Sequence, residues 1–292
     1  MRQKKPKKKE SQFSSDQQSK KYLPKKNSIA RKRRPLSKKY RLTAENGYYF
    51  IWGYHAVLAA LSNPKRIVKT FYASPKSKNL ALKLAKNALC KTESNQLKFS
   101  ILEREQFNFL SDSHDNIVHQ NLIIEVRPLE VSYLSDLIFE NENLRLVVLD
   151  QITDPRNIGA IIRSAKAFGC DALIMTKHNS PPENGSLARA AAGALEDIPI
   201  ITVTNLKRTI ETLKSNTVCC IGLDASGDKK LEAFSSEPKL AIILGSENIG
   251  MRRLTKQACD FIVKIPMKNK TESLNVSVAS AIALYATQFS IN

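Results

Sequence analysis

Apolar positions change their spacing twice along this chain. Up to about residue 46 they have none: Phe13, Tyr22, Leu23, Ile29, Leu36 and Tyr40 stand singly among charges. Too little apolar area is available there to offset ordering the backbone, so residues 1–46 are expected to be a disordered tail. From Tyr48 a pattern begins. The run GYHAVLAALSN sets Val57, Leu58 and Leu61 at helical spacing, with Asn63-Pro64 as a stop. RIVKTFYAS, rich in β-branched and aromatic residues, predicts a strand. Residues 77–90 repeat Leu80, Leu82, Leu84, Ala85 and Leu89 and predict a helix, and KFSIL and NLIIEV predict two more strands. A small α/β unit over 47–127 follows, then a linker, 128–143, with one short helix.

The third stretch, 144–292, alternates regularly. LRLVVLD, DALIMT, PIITV, TVCCIGLD, LAIILG and DFIVKI read as strands, and NIGAIIRSAKAFG, NLKRTIETLKSN and NVSVASAIALYATQF as helices. Strands that are apolar throughout and alternate with helices indicate an α/β fold, its mostly parallel sheet covered on both faces.

Charge adds a partner class. The 292 residues carry a net +19, and residues 1–46 hold 17 Lys+Arg against Glu10, Asp16 and Glu45, a net of +14 that leaves +5 for the rest. Such asymmetry fits a polyanion such as nucleic acid, whose phosphates residues 4–9 and 31–34 would neutralise without reading sequence; a tail that only solubilises is the alternative. Cys90, Cys170, Cys219, Cys220 and Cys259 are odd in number and show no C-x-x-C. They predict reduced thiols and a cytoplasmic location rather than disulfides. His55, His114, His119 and His178 have no ligand spacing with them, so no metal is expected. No apolar run reaches the ~18–20 residues a membrane helix needs.

Ligands of such sheets bind beyond the C-terminal strand ends, so the segments there are the candidates for chemistry. After Asp150, Asp154-Pro155 forms a turn and Asn157 is the expected N-cap of a helix starting at Ile158, with Arg163 six residues further on. LAIILG runs into Gly245-Ser246-Glu247-Asn248-Ile249-Gly250, where the glycines allow close backbone approach to a ligand and Glu247 is placed to cap the next helix or position a substrate group. DFIVKI leads through Ile265-Pro266 and a polar loop to Ser273-Leu274-Asn275 and an apolar helix, with the Asn275 amide expected to be buried and either to tie two loops together or to hold a ligand. Neither G-x-G-x-x-G after a strand, nor G-x-x-x-x-G-K-[ST], nor G-x-S-x-G occurs, which argues against a dinucleotide dehydrogenase, a P-loop nucleotidase and an α/β-hydrolase.

Together these three segments resemble the signature motifs of the SpoU (TrmH-type) RNA 2′-O-methyltransferases, of the knotted SPOUT class: N-x-G-x-x-x-R over 157–163, G-x-E-x-x-G over 245–250, and I-P…S-L-N-V-S over 265–277. ARAAAGALEDIPIITVTNL is similar to the family's core. GYHAVLAAL is similar to the substrate-binding domain of the branch that methylates guanosine in large-subunit rRNA. Asn248 and Asn269 stand where the motifs often have glycine, and asparagine tolerates positive φ; Gln151 stands at another such position without that tolerance.

The resemblance implies a C-terminal trefoil knot, which general topology rules would not suggest. It also implies a homodimer and a site that holds S-adenosylmethionine on Gly245, Gly250, Ile265, Ser273 and Leu274. Arg163, Asn157, Glu247 and Asn275 become the catalytic candidates, Asn157 and Asn275 holding ribose and loops, Glu247 orienting Arg163 or the target nucleotide. Arginine stays protonated, so Arg163 is expected to clamp phosphate or alkoxide rather than act as a plain base. The expected substrate is rRNA, with tRNA as the alternative, and a catalytically silent RNA-binding or ribosome-assembly protein as the rival reading. Deleting residues 1–46 is expected to flatten the dependence of log K for RNA on log salt, read by filter binding across a salt series; an unchanged slope means the tail is not an RNA arm.

Overall fold

The computed structural model describes residues 44–89, 97–107, 119–130, 133–268 and 273–288. Most of the basic tail, Cys90 and Asn269 lie outside the described residues. Residues 44–46, assigned to the tail from sequence, are described, and the Glu45 amide donates to Glu125 at 2.9 Å.

The front unit is built on β1 (Tyr49–Trp52), α1 (Tyr54–Ser62), β2 (Val68–Ala73), α2 (Lys78–Leu89), β3 (Lys98–Ile101), α3 (Arg104–Phe107) and β4 (Leu122–Val126). Its sheet has the order β1-β4-β2-β3, in which β4 is antiparallel to both neighbours and β2 and β3 run parallel. The helix stop at Asn63 is where α1 ends. On α2 the core face is Ala81, Leu84 and Ala85, while Leu80 and Leu82 are exposed, because at about 100° per residue both point roughly 90–110° away from the centre of that face.

After α4 (Leu134–Glu140) comes the main sheet: β5 (Leu144–Asp150), β6 (Ala172–Thr176), β7 (Ile200–Val203), β8 (Cys219–Leu223), β9 (Lys229–Lys230), β10 (Lys239–Gly245) and β11 (Phe261–Lys264). The order is β7-β6-β5-β10-β8-β11-β9, with every neighbouring pair parallel. Helices α5 (Pro155–Ala167), α6 (Gly185–Ala191), α7 (Leu206–Ser215), α8 (Arg253–Ala258) and α9 (Val276–Thr287) cover it. Strand alternation assigns the faces. Val147 and Leu149 face α5, α6 and α9, whereas Leu146 and Val148 face α4, α7 and α8. The first core continues into the front unit through Ile51, Val57, Phe71 and Ile124. Cys170 and Cys220 are buried, and Cys219 and Cys259 half-buried. Burial raises the Cys170 thiol to about 12 and the Cys219 thiol to about 11.

Helix α5 begins earlier than its sequence suggests. Asp154, not Asn157, is the N-cap, its carboxylate accepting from the Arg156 amide at 2.9 Å with Pro155 at the first helical position. An Asp-Pro pair outcompetes an asparagine three residues later, which moves Asn157 into the first turn and frees its amide. Two turns also differ from expectation. Gln151 adopts φ 60 where glycine is usual, whereas the positive φ of the 246–250 loop falls at Gly250 (72) rather than at Asn248. Strain of that kind at a non-glycine residue costs about 1 kcal/mol or more and gathers at functional sites.

Helices α5 and α6 meet at Gly159. A Cβ there would lie 2.5 Å from Ala190 Cβ and 2.7 Å from the Leu187 carbonyl oxygen. Gly159→Ala is therefore expected to lower unfolding free energy by about 1–3 kcal/mol in urea titration, through overpacking against a backbone that cannot move away.

Candidate active site

Insertion of β10 between β5 and β8 brings three distant segments to the C-terminal edge of the sheet. Glu247, two residues beyond β10, is the point at which they join. Its Oε1 accepts from Asn275 Nδ2 at 2.5 Å, Asn157 Nδ2 at 3.2 Å and the Val276 backbone amide at 3.1 Å. Asn275 Nδ2 also donates to Asn157 Oδ1 at 3.2 Å. Glu247 thus sits on the first amide of α9, where a carboxylate meets the positive helix end, rather than on α8, the helix that follows it. Asn275 is the α9 N-cap, its Oδ1 accepting from the Ser277 amide at 3.0 Å and hydroxyl at 2.5 Å. Glu247 and Asn275 are exposed and Asn157 half-buried. The expectation of a buried Asn275 amide is corrected: capping holds the side chain at the surface, where it ties the loops together.

Arg163 does not join this cluster. It is exposed on α5, roughly 9 Å along the helix from Asn157 and about 120° around it. Among the described residues it makes no hydrogen bond or ion pair, so Glu247 does not orient it within the chain. Six residues along α5 turn the Arg163 side chain off the Asn157 face.

Beside the cluster lies a cavity of about 320 Å³, walled by the ends of β8, β10 and β11 and the start of α9. Gly245, Gly250, Ile265, Ser273 and Leu274 all line it, with Leu223, Leu244 and Met267 adding apolar surface. At Gly245 a Cβ would lie 2.2 Å from both the Gly250 carbonyl carbon and the Met251 nitrogen, so only glycine lets the 246–250 loop fold back on its strand. The Gly250 amide donates to the Ser246 carbonyl at 2.8 Å and closes that loop. The Ser246 hydroxyl, also in the wall, is buried with no hydrogen-bond partner among the described residues. A mixed apolar wall of this volume with an unsatisfied hydroxyl and a backbone-lined turn fits a nucleoside with polar groups at its edge. It is therefore compatible with S-adenosylmethionine.

Two groups escaped the sequence analysis. Asp150, fully buried at the end of β5, accepts from the Arg252 amide and Nε, both at 2.8 Å, and so anchors the far end of the β10 loop. Asp224 directly follows β8 and lies in the cavity wall. Burial works against its ionisation, but hydrogen bonds from Ser226 and Lys256 outweigh it and hold the carboxyl below its ordinary value. An aspartate closing an apolar strand was the available signal for both.

Comparison with known proteins decides the family. The SpoU rRNA Methylase family matches residues 145–285, and the RNA 2′-O ribose methyltransferase substrate binding family matches residues 50–132. The 23S rRNA (guanosine-2′-O-)-methyltransferase RlmB of Escherichia coli (strain K12) is 37% identical over 239 residues, covering 80% of this chain and 96% of that protein. The chain belongs to the SpoU rRNA methylase family. The Vibrio cholerae RlmB is 36% identical over 239 residues, covering 80% of this chain and 94% of its own length. Among solved structures, the SpoU methyltransferase AviRb from Streptomyces viridochromogenes in complex with AdoMet superposes with a TM-score of 0.69, at 23% identity over 82% of this chain and 89% of that one. The AdoMet-bound rRNA methyltransferase from Sinorhizobium meliloti gives 0.66 at 20% identity over 83% and 87%. At such identity these two establish the shared fold. No helix among the described residues is long and apolar enough to cross a membrane.

Within this SpoU chain, replacing Glu247 by Ala removes the acceptor that three donors share. Glu247→Ala is expected to cost about 1–2 kcal/mol in chemical denaturation, discounted for exposure, and to speed hydrogen exchange at Val276.

Proposed function

We propose that this protein transfers a methyl group from S-adenosylmethionine to a ribose 2′-hydroxyl of RNA, with a guanosine of large-subunit rRNA as the target. The observation that carries the reading is the Asn157–Glu247–Asn275 cluster beside a glycine-lined cavity at the strand ends. Identity to RlmB over nearly that protein's whole length supports the rRNA guanosine over a tRNA substrate.

The donor supplies a methyl group already activated on a sulfonium. What remains for the chain is to position the ribose and assist loss of its proton. Gly245, Gly250, Ile265, Ser273 and Leu274 hold the donor, with the Ser246 hydroxyl as a further polar contact. Asn157 and Asn275 keep the two loops in register through Glu247, and the second amide hydrogen of Asn157 is left to meet the ribose. Arg163, permanently cationic, stabilises phosphate or the developing alkoxide. Residues 47–127 grip RNA, 128–143 link, and 144–292 carry out the transfer, with the chain from β10 to α9 forming the family's knot. The reaction takes place in the cytoplasm.

A homodimer accounts for the isolation of Arg163. On α9, Val278 (48% exposed), Ile282 (38%) and Tyr285 (64%) recur at helical spacing as an uncovered apolar stripe. Tyr285 meets Phe168, just beyond α5, edge to face at 6.0 Å. A second copy on this stripe would cover it and give the α5 arginine a site to act on.

The test is incubation with labelled S-adenosylmethionine and total RNA, followed by mapping of 2′-O-methyl positions. A single guanosine in 23S-type rRNA is expected; label in tRNA alone would overturn the assignment. Arg163→Ala is expected to retain donor affinity by calorimetry and lose methylation, and unchanged turnover would retire its catalytic role.

A further inference from the structure

A second polar cluster lies away from the active site, where the front unit meets the main sheet. Arg66, between α1 and β2, has a side chain with no exposed area. Its Nε donates to both oxygens of Glu196, at 3.2 and 3.0 Å, and Nη2 donates to Glu196 Oε1 at 2.8 Å. Nη1 donates to the Arg127 carbonyl at 2.7 Å, to the Tyr49 hydroxyl oxygen at 3.2 Å and to Glu183 at 3.3 Å. Tyr49 in turn donates to Glu183 at 2.8 Å, and Asn63 Nδ2 to Glu196 at 2.8 Å. Burial, then the charge of Glu183, pushes the Tyr49 phenol well above its ordinary value, so it stays a donor.

The chain positions of these groups give the cluster its meaning. Arg66, Tyr49, Asn63 and Arg127 belong to the front unit, whereas Glu183 and Glu196 flank α6 on either side. One guanidinium therefore joins the segment that leads into that helix to the turn that follows it. At the α6 N-terminus Trp52 of β1 lies over Gly185, where an added Cβ would be 1.8 Å from the indole. On its other side α6 packs against α5 at Gly159, and α5 carries Asn157 into the active site.

Apolar contacts alone would allow the two halves to slide, whereas a forked arginine fixes distance and angle together. Buried ion pairs are also better suited to defining geometry than to adding net stability. We infer that Arg66 is a positioning residue for methyl transfer: its bonds to Glu183 and Glu196 lock the RNA-gripping sheet to α6, so that RNA held in front presents its ribose in register with the Asn157–Glu247–Asn275 cluster. This rests on the function proposed above. Misplacement of reacting atoms by 1 Å costs about a hundredfold in rate, so a loose junction would show in turnover.

The test compares wild type, Arg66→Met and Arg66→Lys in the full chain. It reads kcat and KM for rRNA, donor affinity by calorimetry, and hydrogen exchange of β1 and α6. Arg66→Met is expected to lose about tenfold or more in kcat at saturating RNA, with donor affinity unchanged and exchange accelerated at the junction only. Arg66→Lys, which keeps the charge without the fork, is expected to fall between them. Unchanged kcat in a folded Arg66→Met whose junction exchanges faster would overturn the inference. Donor binding lost in proportion to methylation would also overturn it, because the residue would then only be supporting the fold. Should Arg66→Met not fold, Tyr49→Phe removes two bonds of the cluster without touching a charge; a smaller fall in kcat is expected, and none would overturn the inference. If the wild-type chain transfers no methyl group, the proposed function fails separately. Retention of rRNA on filters then judges the lock, with weaker binding expected in Arg66→Met and equal binding overturning it.

Discussion

A strand inserted between two others in a parallel sheet has to deliver its C-terminal loop between theirs. That constraint, imposed by β10 lying between β5 and β8, organises everything at the functional edge of this molecule. The sheet is buried on both faces, so its helices leave only the strand ends open to a ligand. Three loops are consequently crowded together there, and each has to satisfy polar groups that the others expose. Gly245 answers the crowding by having no side chain, and Glu247 answers the polarity by accepting from two asparagines and a helix amide.

The result is a site held by a hub rather than by a set of independent side chains. The Glu247 carboxylate lies on the surface, where a single hydrogen bond is worth little, yet it is the acceptor that the 157 and 275 segments share. Asp150 plays the complementary part from beneath, fully buried and fixing the Arg252 end of the same loop. The β10 loop that walls the cavity is therefore tied at both ends, by Glu247 and by Asp150. Arg163, the one catalytic candidate outside the hub, sits exposed on α5. That placement follows from helix geometry.

The same economy of contacts recurs at the front. Apolar packing joins the two sheets into one continuous core, but packing alone specifies an interface loosely. The Arg66 cluster adds direction to it, and α6 transmits that direction to α5 through the close contact at Gly159.

Much of this was legible in the residues alone. Apolar periodicity located six of the seven strands of the main sheet and the helices α5, α7 and α9, but not β9, α6 or α8, since a sheet buried on both faces has to be written in apolar runs while its short edge strand does not. Glycine spacing and the N-x-G-x-x-x-R, G-x-E-x-x-G and S-L-N-V-S segments pointed to the residues that line the cavity and form the hub. Local competition misled the reading at α5, where Asp154-Pro155 took the cap from Asn157, and at α2, where leucines spaced two apart could not all turn inward. Long-range contact was out of reach altogether. No pattern around Asp150 or Arg66 names its partner, because the bonds to Arg252 and Glu196 span 102 and 130 residues and arise only once the sheet order is set. The sequence by itself determined which segments would be strands, helices and reactive loops, for those follow from the chemistry of neighbouring residues. Only the tertiary structure decided which loops meet, for that follows from where β10 inserts.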